Sequence, residues 1–380
     1  MCVTGEAADE QRQPRLNHIA ELDGARGIAV LAILLLHFYD PVIAAKPFGS
    51  LVASVLPLCA GGVDLFFVLS GFLITRILVA SKGASNYFQA FYARRILRIF
   101  PLYFHVVAIF FLLLPVAHRH HVDEKSTGLY AAWYLLFAQN WMQALRISDG
   151  AQLAHFWTLA IEEQFYLLWP ATVWLLTTDQ LRRTAIGIIA CVEVVRGLLW
   201  LAHVSSVLIY FNTVTRLDAL ALGALLSLSP TTRQGLFRAA PYVMPIAAIA
   251  SLFLPEPYFP LLLLIICGCT VALAASGRGR ILRSRFLQNI GRYSFAMYVF
   301  HYLLHGALVP LAKRVPPLPF ALAAIIGGTC ASYATAWLSW RLIEQPALQL
   351  KRFFRYNHAG QQHGDVTIPS TRPTKLRPVA

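Results

Sequence analysis

LDGARGIAVLAILLLHF, residues Leu22 to Phe38, carries Arg26 near one end and His37 at the other. Nine of the ten residues between them are aliphatic, and the tenth is Gly27. A guanidinium and an imidazole are costly near hydrocarbon, so an ionisable pair in such a run is a functional candidate by default. Eleven positions at ~100° come to ~1100°, within ~20° of three whole turns. On a continuous helix both side chains share one face, separated by ~16 Å of rise. That layout suits an acid/base group at one point and an anion anchor at another. It also suits an arginine snorkelling at a helix end above a hydrogen-bonded core histidine, and spacing alone leaves both readings open.

The rest of the chain extends the apolar pattern. Of 380 residues, 57% are hydrophobic and 13% charged, against about 25% charged in an average soluble domain. Mean hydropathy is +0.58. This is the composition of a polytopic membrane protein. Long apolar segments with short polar breaks imply helices, since a barrel would show short alternating strands. The net charge of +14 would suggest nucleic acid in a soluble protein. Here it is read as basic cytoplasmic loops facing anionic lipid, and as a field for an anionic substrate, with no nucleic-acid partner. The six cysteines are scattered, and Cys267-Gly-Cys269 lacks zinc-ribbon spacing, so reduced, buried thiols are expected. The polar N-terminus shows no cleavable leader, which leaves the first helix as the insertion signal.

Eleven apolar segments are readable, near 27–45, 56–79, 99–117, 128–144, 156–177, 184–203, 208–229, 239–255, 258–276, 287–311 and 319–343. If all spanned, the basic clusters at 76–98, 182–183, 233–238, 278–285 and 351–355 would fall on opposite sides of the membrane. If the fourth does not span, all fall on one side, as the positive-inside rule requires. That segment is short and carries Gln139 and Asn140 near Trp133 and Trp141, as an interfacial or re-entrant element would. The expected fold is therefore all-α and polytopic, with about ten transmembrane helices, one re-entrant or interfacial segment and both termini cytoplasmic. Residues 1–20 are expected to be disordered, 21–347 to form the membrane domain, and 348–380 to form a basic, largely disordered cytoplasmic tail.

Chemistry-bearing residues recur inside these segments. Asp64, in GGVDLFFVLSGFLITR, is read as a helix-end carboxylate or as the partner of a buried cation. Arg94, Arg95 and Arg98 gather near Pro101, which is expected in a first helical turn. Such a cluster clamps phosphates bidentately or serves as a topology signal. Glu162 and Glu163, in HFWTLAIEEQFYLLWP, point ~100° apart on a helix and exceed what packing needs. Arg216 and Asp218 form an ion pair or a cavity wall. His301 and His305 share a face, with little support for a metal pair. Arg341 and Glu344 are expected to pair at a helix end. Phosphate-binding glycine loops, nucleophile elbows and zinc-protease motifs are lacking.

Taken together, LDGARGIAVLAILLLHF, GGVDLFFVLSGFLIT, RRILRIFPLYF, FWTLAIEEQFYLLWP, RLDALALGALL, GRYSFAMYVFH and the terminal EQP resemble, in order, the acyltransferase-3 family of integral membrane O-acyltransferases. The resemblance covers about residues 20–347. Ala25 stands where that family usually has Leu, and Thr158 where Ser is common. The resemblance implies transfer of an acyl group, commonly acetyl, from cytoplasmic acyl-CoA to a sugar hydroxyl on a surface glycan, lipid-linked glycan or glycosylated small molecule. It implies a multi-pass protein of the bacterial inner membrane, with acyl-CoA as co-substrate and no metal. Arg26 and His37 occupy the essential Arg-x10-His positions, and Arg94, Arg95 and Arg98 would meet the coenzyme's phosphates. His37 would act as general base, with Glu162 or Glu163 orienting it or the acceptor. Asp23, Asp64, Trp157, Gln164, Tyr166, Arg216, Asp218 and His301 are assigned to substrate contacts or polar structure. The tail is too short for the SGNH-type domain some members carry, so direct transfer or a partner protein is expected. The rival reading is a transporter or flippase using the buried charges as a pathway. The sequence shows neither the inverted repeat nor the paired broken helices that reading would want.

Overall fold

The computed structural model describes residues 18–43, 49–113, 124–148, 151–253, 259–312 and 317–357. The rest, including the expected disordered stretch 1–17 and the tail beyond 357, lies outside the described residues. Every regular element described is helical. The helices are α1 (Ala20–Ile43), α2 (Gly49–Ser81), α3 (Tyr87–Ala108), α4 (Glu124–Leu135), α5 (Gln139–Ala144), α6 (Trp157–Leu175), α7 (Thr178–Leu201), α8 (Ser206–Phe211), α9 (Leu217–Leu228), α10 (Pro230–Ala250), α11 (Phe259–Ala275), α12 (Arg285–Ala312), α13 (Pro317–Ser339) and α14 (Gln345–Gln349). Among the described residues, four stretches are long and apolar enough to cross a membrane: Ala20–Tyr39, Leu56–Ser81, Tyr87–Leu112 and Thr178–Leu201.

α1 and α2 form the centre. Their packing depends on backbone approach, because apolar side chains gain nothing by leaving lipid of equal polarity. A Cβ at Gly71 of α2 would overlap the Leu220 carbonyl of α9, and one at Gly223 the Val68 carbonyl. The reciprocal glycines let α2 and α9 cross at backbone contact. α1 lies between α2, α12 and α13, and its own apolar residues Ala25, Ala29, Val30, Ile33 and Leu34 are fully enclosed.

Several sequence expectations change. The fourth apolar segment, expected not to span, is broken. α4 ends at Leu135, two residues before Phe137, whose φ of 51° lies in the left-handed region that favours glycine. The Phe137 ring stacks on Tyr103 at 4.5 Å and Phe100 at 5.4 Å, and its carbonyl accepts from Gln164 Nε2 at 2.8 Å. The seventh segment, expected as one span, is broken too. α8 ends at Phe211, Asn212 Nδ2 donates to Leu208 O at 2.9 Å, and its Oδ1 accepts from Thr215 N at 3.1 Å. The two breaks meet, since Asn140 Nδ2 donates to Phe211 O at 3.1 Å and to Thr213 Oγ1 at 3.0 Å. Gln164 joins them through Asn140 Oδ1 at 3.0 Å and Thr213 Oγ1, so its role is structural.

Two smaller expectations also fail. Pro101 lies well inside α3, which begins at Tyr87. Arg341 stacks on Trp337 at 4.0 Å while Glu344 accepts from Ser339, so no Arg341–Glu344 pair forms among the described residues. The first part of the expected loose tail is ordered. Asn86 Nδ2 donates to Arg355 O at 2.7 Å, and Asn357 N donates to Asn86 Oδ1 at 2.8 Å. This ties 350–357 across the start of α3.

Candidate functional site

α1, α2, α3, α6 and α12 enclose a cavity of about 120 Å³, lined by Arg26, Arg95, Arg98, Glu162, Tyr166 and Ser70, with Thr158 and Tyr298 among its remaining walls. α3 delivers Arg95 and Arg98. The guanidinium of Arg95 lies 5.4 Å from the Tyr166 ring, and that of Arg98 lies 6.0 Å from both Phe295 and Trp340. Neither arginine has a carboxylate within ion-pair distance among the described residues. Arg26 is held by Asp23 at 3.3 Å, and Asp23 is in turn held by His18 at 2.7 Å. Asp23 thus positions the arginine rather than facing the cavity. Glu162 accepts from Tyr166 OH at 3.1 Å, and that phenol shares a short hydrogen bond with Ser70. Unpaired guanidiniums in a partly dry chamber attract multiply charged anions strongly.

The arginine trio divides here. Arg95 and Arg98 line the cavity, whereas Arg94 donates to Phe354 O at 3.2 Å and lies 5.9 Å from the Tyr356 ring. The C-terminal segment adds a cation that the sequence reading had assigned only to topology. Burial, with Arg98, Arg95 and Arg94 nearby, lowers the Lys351 ammonium to about 7. An anion arriving here would reprotonate it.

The second half of the site is a histidine cluster across Tyr298. His301 is fully enclosed, and its Nδ1 donates to Tyr298 O at 2.6 Å. That fixes the tautomer and leaves Nε2 as acceptor, 3.2 Å from His37 Nδ1. His37 Nδ1–H also points at Ile33 O, 2.9 Å away. In neutral His37 the lone pair therefore resides on Nε2, the arrangement of an imidazole oriented as a base. His37 was expected to lean on Glu162 or Glu163. It hydrogen-bonds Ile33 O and His301, and Glu162 lines the arginine chamber. Glu163 lies beside that chamber, and its enclosed Oε1 has no hydrogen-bond partner among the described residues.

His155, which the sequence reading passed over, completes the cluster. Nε2 donates to Val299 O at 3.1 Å, and the ring lies 5.1 Å from His301 and 5.2 Å from Tyr302. The signal was present in the HFW opening of α6, but a histidine flanking the acidic pair drew less notice than the pair. Tyr298 connects the halves. Its OH donates to His155 O at 2.6 Å and bonds Thr158 Oγ1 at 2.8 Å, while its ring packs 5.4 Å from His301. The wall between arginine chamber and histidine cluster is one side chain thick. Among the described residues no group of three or more His, Cys, Asp or Glu is placed to hold a metal.

The other intramembrane charges form a separate network. Asp64 is inside α2, well past its start at Gly49, and pairs with Arg216 Nη2 at 2.9 Å. Asp218 pairs with Arg196 Nη2 at 2.6 Å, not with Arg216. Trp157 belongs to this network, 5.6 Å from the Arg216 guanidinium.

Helices long enough to span, with polar chambers sunk between them, define an integral membrane protein equipped for reaction within the bundle. The chain belongs to the family described as "Acyltransferase domain", whose profile matches residues 19–337. It is 27% identical over 363 residues to the peptidoglycan O-acetyltransferase OatA of Listeria monocytogenes, covering 87% of this chain and 56% of that protein. It is 26% identical to the putative peptidoglycan O-acetyltransferase YrhL of Bacillus subtilis, covering 87% of this chain and 55% of that protein. With the O-acetyltransferase OatA of Staphylococcus aureus it shares 29% identity over 55% of this chain and 34% of that protein. The chain thus spans about half the length of the longest-matching of these relatives. No solved structure matches it.

Proposed function

We propose that this protein is a membrane O-acyltransferase that moves an acetyl group from cytoplasmic acetyl-CoA to a hydroxyl of a sugar on a cell-envelope glycan. It would sit in the bacterial inner membrane with about ten spanning helices and both termini in the cytoplasm. The observation that carries this reading is the single-residue partition at Tyr298. It sets a chamber with unpaired arginines against a histidine whose tautomer is fixed for proton abstraction. Arg26, Arg95, Arg98 and Lys351 would hold the donor's phosphates, and its thioester arm would extend past Tyr298. His37 Nε2 would take the acceptor hydroxyl's proton as that oxygen attacks the thioester carbonyl. The carbon–sulfur bond then breaks and the coenzyme leaves as thiolate, which recovers the proton from His37. The names of the relatives favour a glycan acceptor.

The test uses protein in lipid nanodiscs with radiolabelled acetyl-CoA and cell-wall glycan fragments. Label on the glycan is expected from the wild type and not from a folded His37→Ala variant. Equal labelling by that variant would remove His37 from the reaction. Failure of well-folded wild type to label any glycan hydroxyl would overturn the proposal.

A further inference from the structure

The Asp64–Arg216 network borders a second cavity of about 630 Å³ that the acyl-transfer scheme does not use, a size typical of small-molecule sites. Its walls include Asp64, Arg216, Tyr210, Trp200, Ser206 and Phe259. The cavity draws on 57–64 of α2, 196–200 of α7 and 259–263 of α11, while the arginine chamber draws on 63–74 of α2 and 95–99 of α3. The two adjoin along α2. Phe67 separates them. It lines the arginine chamber, and its ring lies 5.7 Å from the Arg216 guanidinium and 6.1 Å from Trp157.

Arg216 is 4% exposed and caged by Phe67, Trp157 and Tyr210, the last at 5.1 Å. Asp64 faces one edge of its fork, while the buried Nε has no hydrogen-bond partner among the described residues. A guanidinium carries five N–H donors, and leaving one buried and unmet is costly. Oxygen atoms entering the cavity would satisfy it. The charge balance says which kind. Asp64 offsets Arg216, and Asp218 with Glu193 at 3.1 Å offsets Arg196. The site has no surplus positive charge for a phosphate. Carboxylate and hydroxyl acceptors, guanidinium donors and aromatic faces suit a neutral polyol, whose C–H faces pack on the electron-rich ring faces.

We infer that this second cavity binds a neutral sugar unit, whose role as acceptor rests on the proposed function but whose binding does not. Wild type, Arg216→Lys and Tyr210→Ala proteins in nanodiscs are titrated calorimetrically with tetra-N-acetylglucosamine, with its alkyl glycoside and with inorganic phosphate. Wild type binds the saccharide. Arg216→Lys and Tyr210→Ala each weaken it at least about tenfold, in line with loss of hydrogen bonds to a charged group or of an aromatic face. Equal affinity for the free and alkyl-linked sugar assigns a polymer, and tighter binding of the glycoside a lipid-linked sugar; both support the site. Should folded wild type bind neither, should both cavity variants bind as wild type does, or should phosphate compete, the inference fails. If the saccharide binds but no variant or wild type transfers acetyl, the proposed function falls and the sugar site stands.

Discussion

The two cavities on either side of Phe67 both contain arginines, buried in one and half-buried in the other, and they differ in what the arginines are paired with. In the cavity beside Asp64, Arg216 and Arg196 each face an aspartate, at 2.9 and 2.6 Å. In the arginine chamber Arg95 and Arg98 face aromatic rings, at 5.4 to 6.0 Å, with no carboxylate within ion-pair distance among the described residues. A paired guanidinium offers hydrogen-bond direction with little net field. An unpaired one keeps its field for an incoming anion. The same residue type therefore marks a neutral-ligand site in one place and an anion site in the other.

The comparison can be broken in graded steps. The largest effect belongs to His37→Ala, which should lower transfer by about 10²–10⁴-fold, the usual worth of a positioned general base, with no change in thermal unfolding. Next, Asp64→Asn should strand a buried Arg216 and destabilise the protein by about 3–5 kcal/mol. Thermal melts should show this, with CoA affinity unaltered in the folded fraction. A fall in CoA affinity equal to that of the arginine chamber's variants would erase the distinction between the cavities. Arg98→Gln should weaken CoA binding about tenfold, comparable to one charge-assisted hydrogen bond, while melting temperature stays near wild type. Arg98→Lys should recover only part, because the ammonium lacks the fork.

The smallest effect is a pH dependence. Lys351 sits near 7 in the free protein, and a bound polyphosphate would raise it toward its ordinary value. Affinity for CoA is then full below pH 7 and falls as pH rises above it, by at most about tenfold per unit. Calorimetric titration from pH 6.5 to 8.5 should show that slope, and Lys351→Met should flatten it.

Much of this was legible in the sequence. Period and spacing placed Arg26 and His37 on one helix, and the basic clusters with Gln139 and Asn140 marked the fourth segment as irregular. What the sequence withheld were pairings between segments. Asp64 and Arg216 are 152 positions apart in numbering, and no local rule joins them, so the nearer Asp218 drew the pairing. The break at Asn212 was hidden because the apolar runs at 207–211 and 219–226 on either side of it read as one segment. Lys351 looked like a topology charge, since only the fold of 350–357 over α3 brings it to the arginines. His155 was visible but seemed incidental until Tyr298 and His301 closed around it.

The thin partition formed by Phe67 and Tyr298 also has an electrical meaning. Were the recesses on its two sides water-filled and open to opposite faces of the membrane, most of the membrane voltage would fall across these few side chains. Moving one elementary charge through that layer costs or yields about 2.3 kcal/mol per 100 mV. In the proposed step acetyl would pass one way while a proton passes the other, from acceptor hydroxyl through His37 to the thiolate, leaving the charge on each side the same before and after. The proposed reaction is therefore blind to the membrane potential, and depolarising the vesicles should leave its rate unchanged, whereas a carrier of anionic cargo would respond steeply.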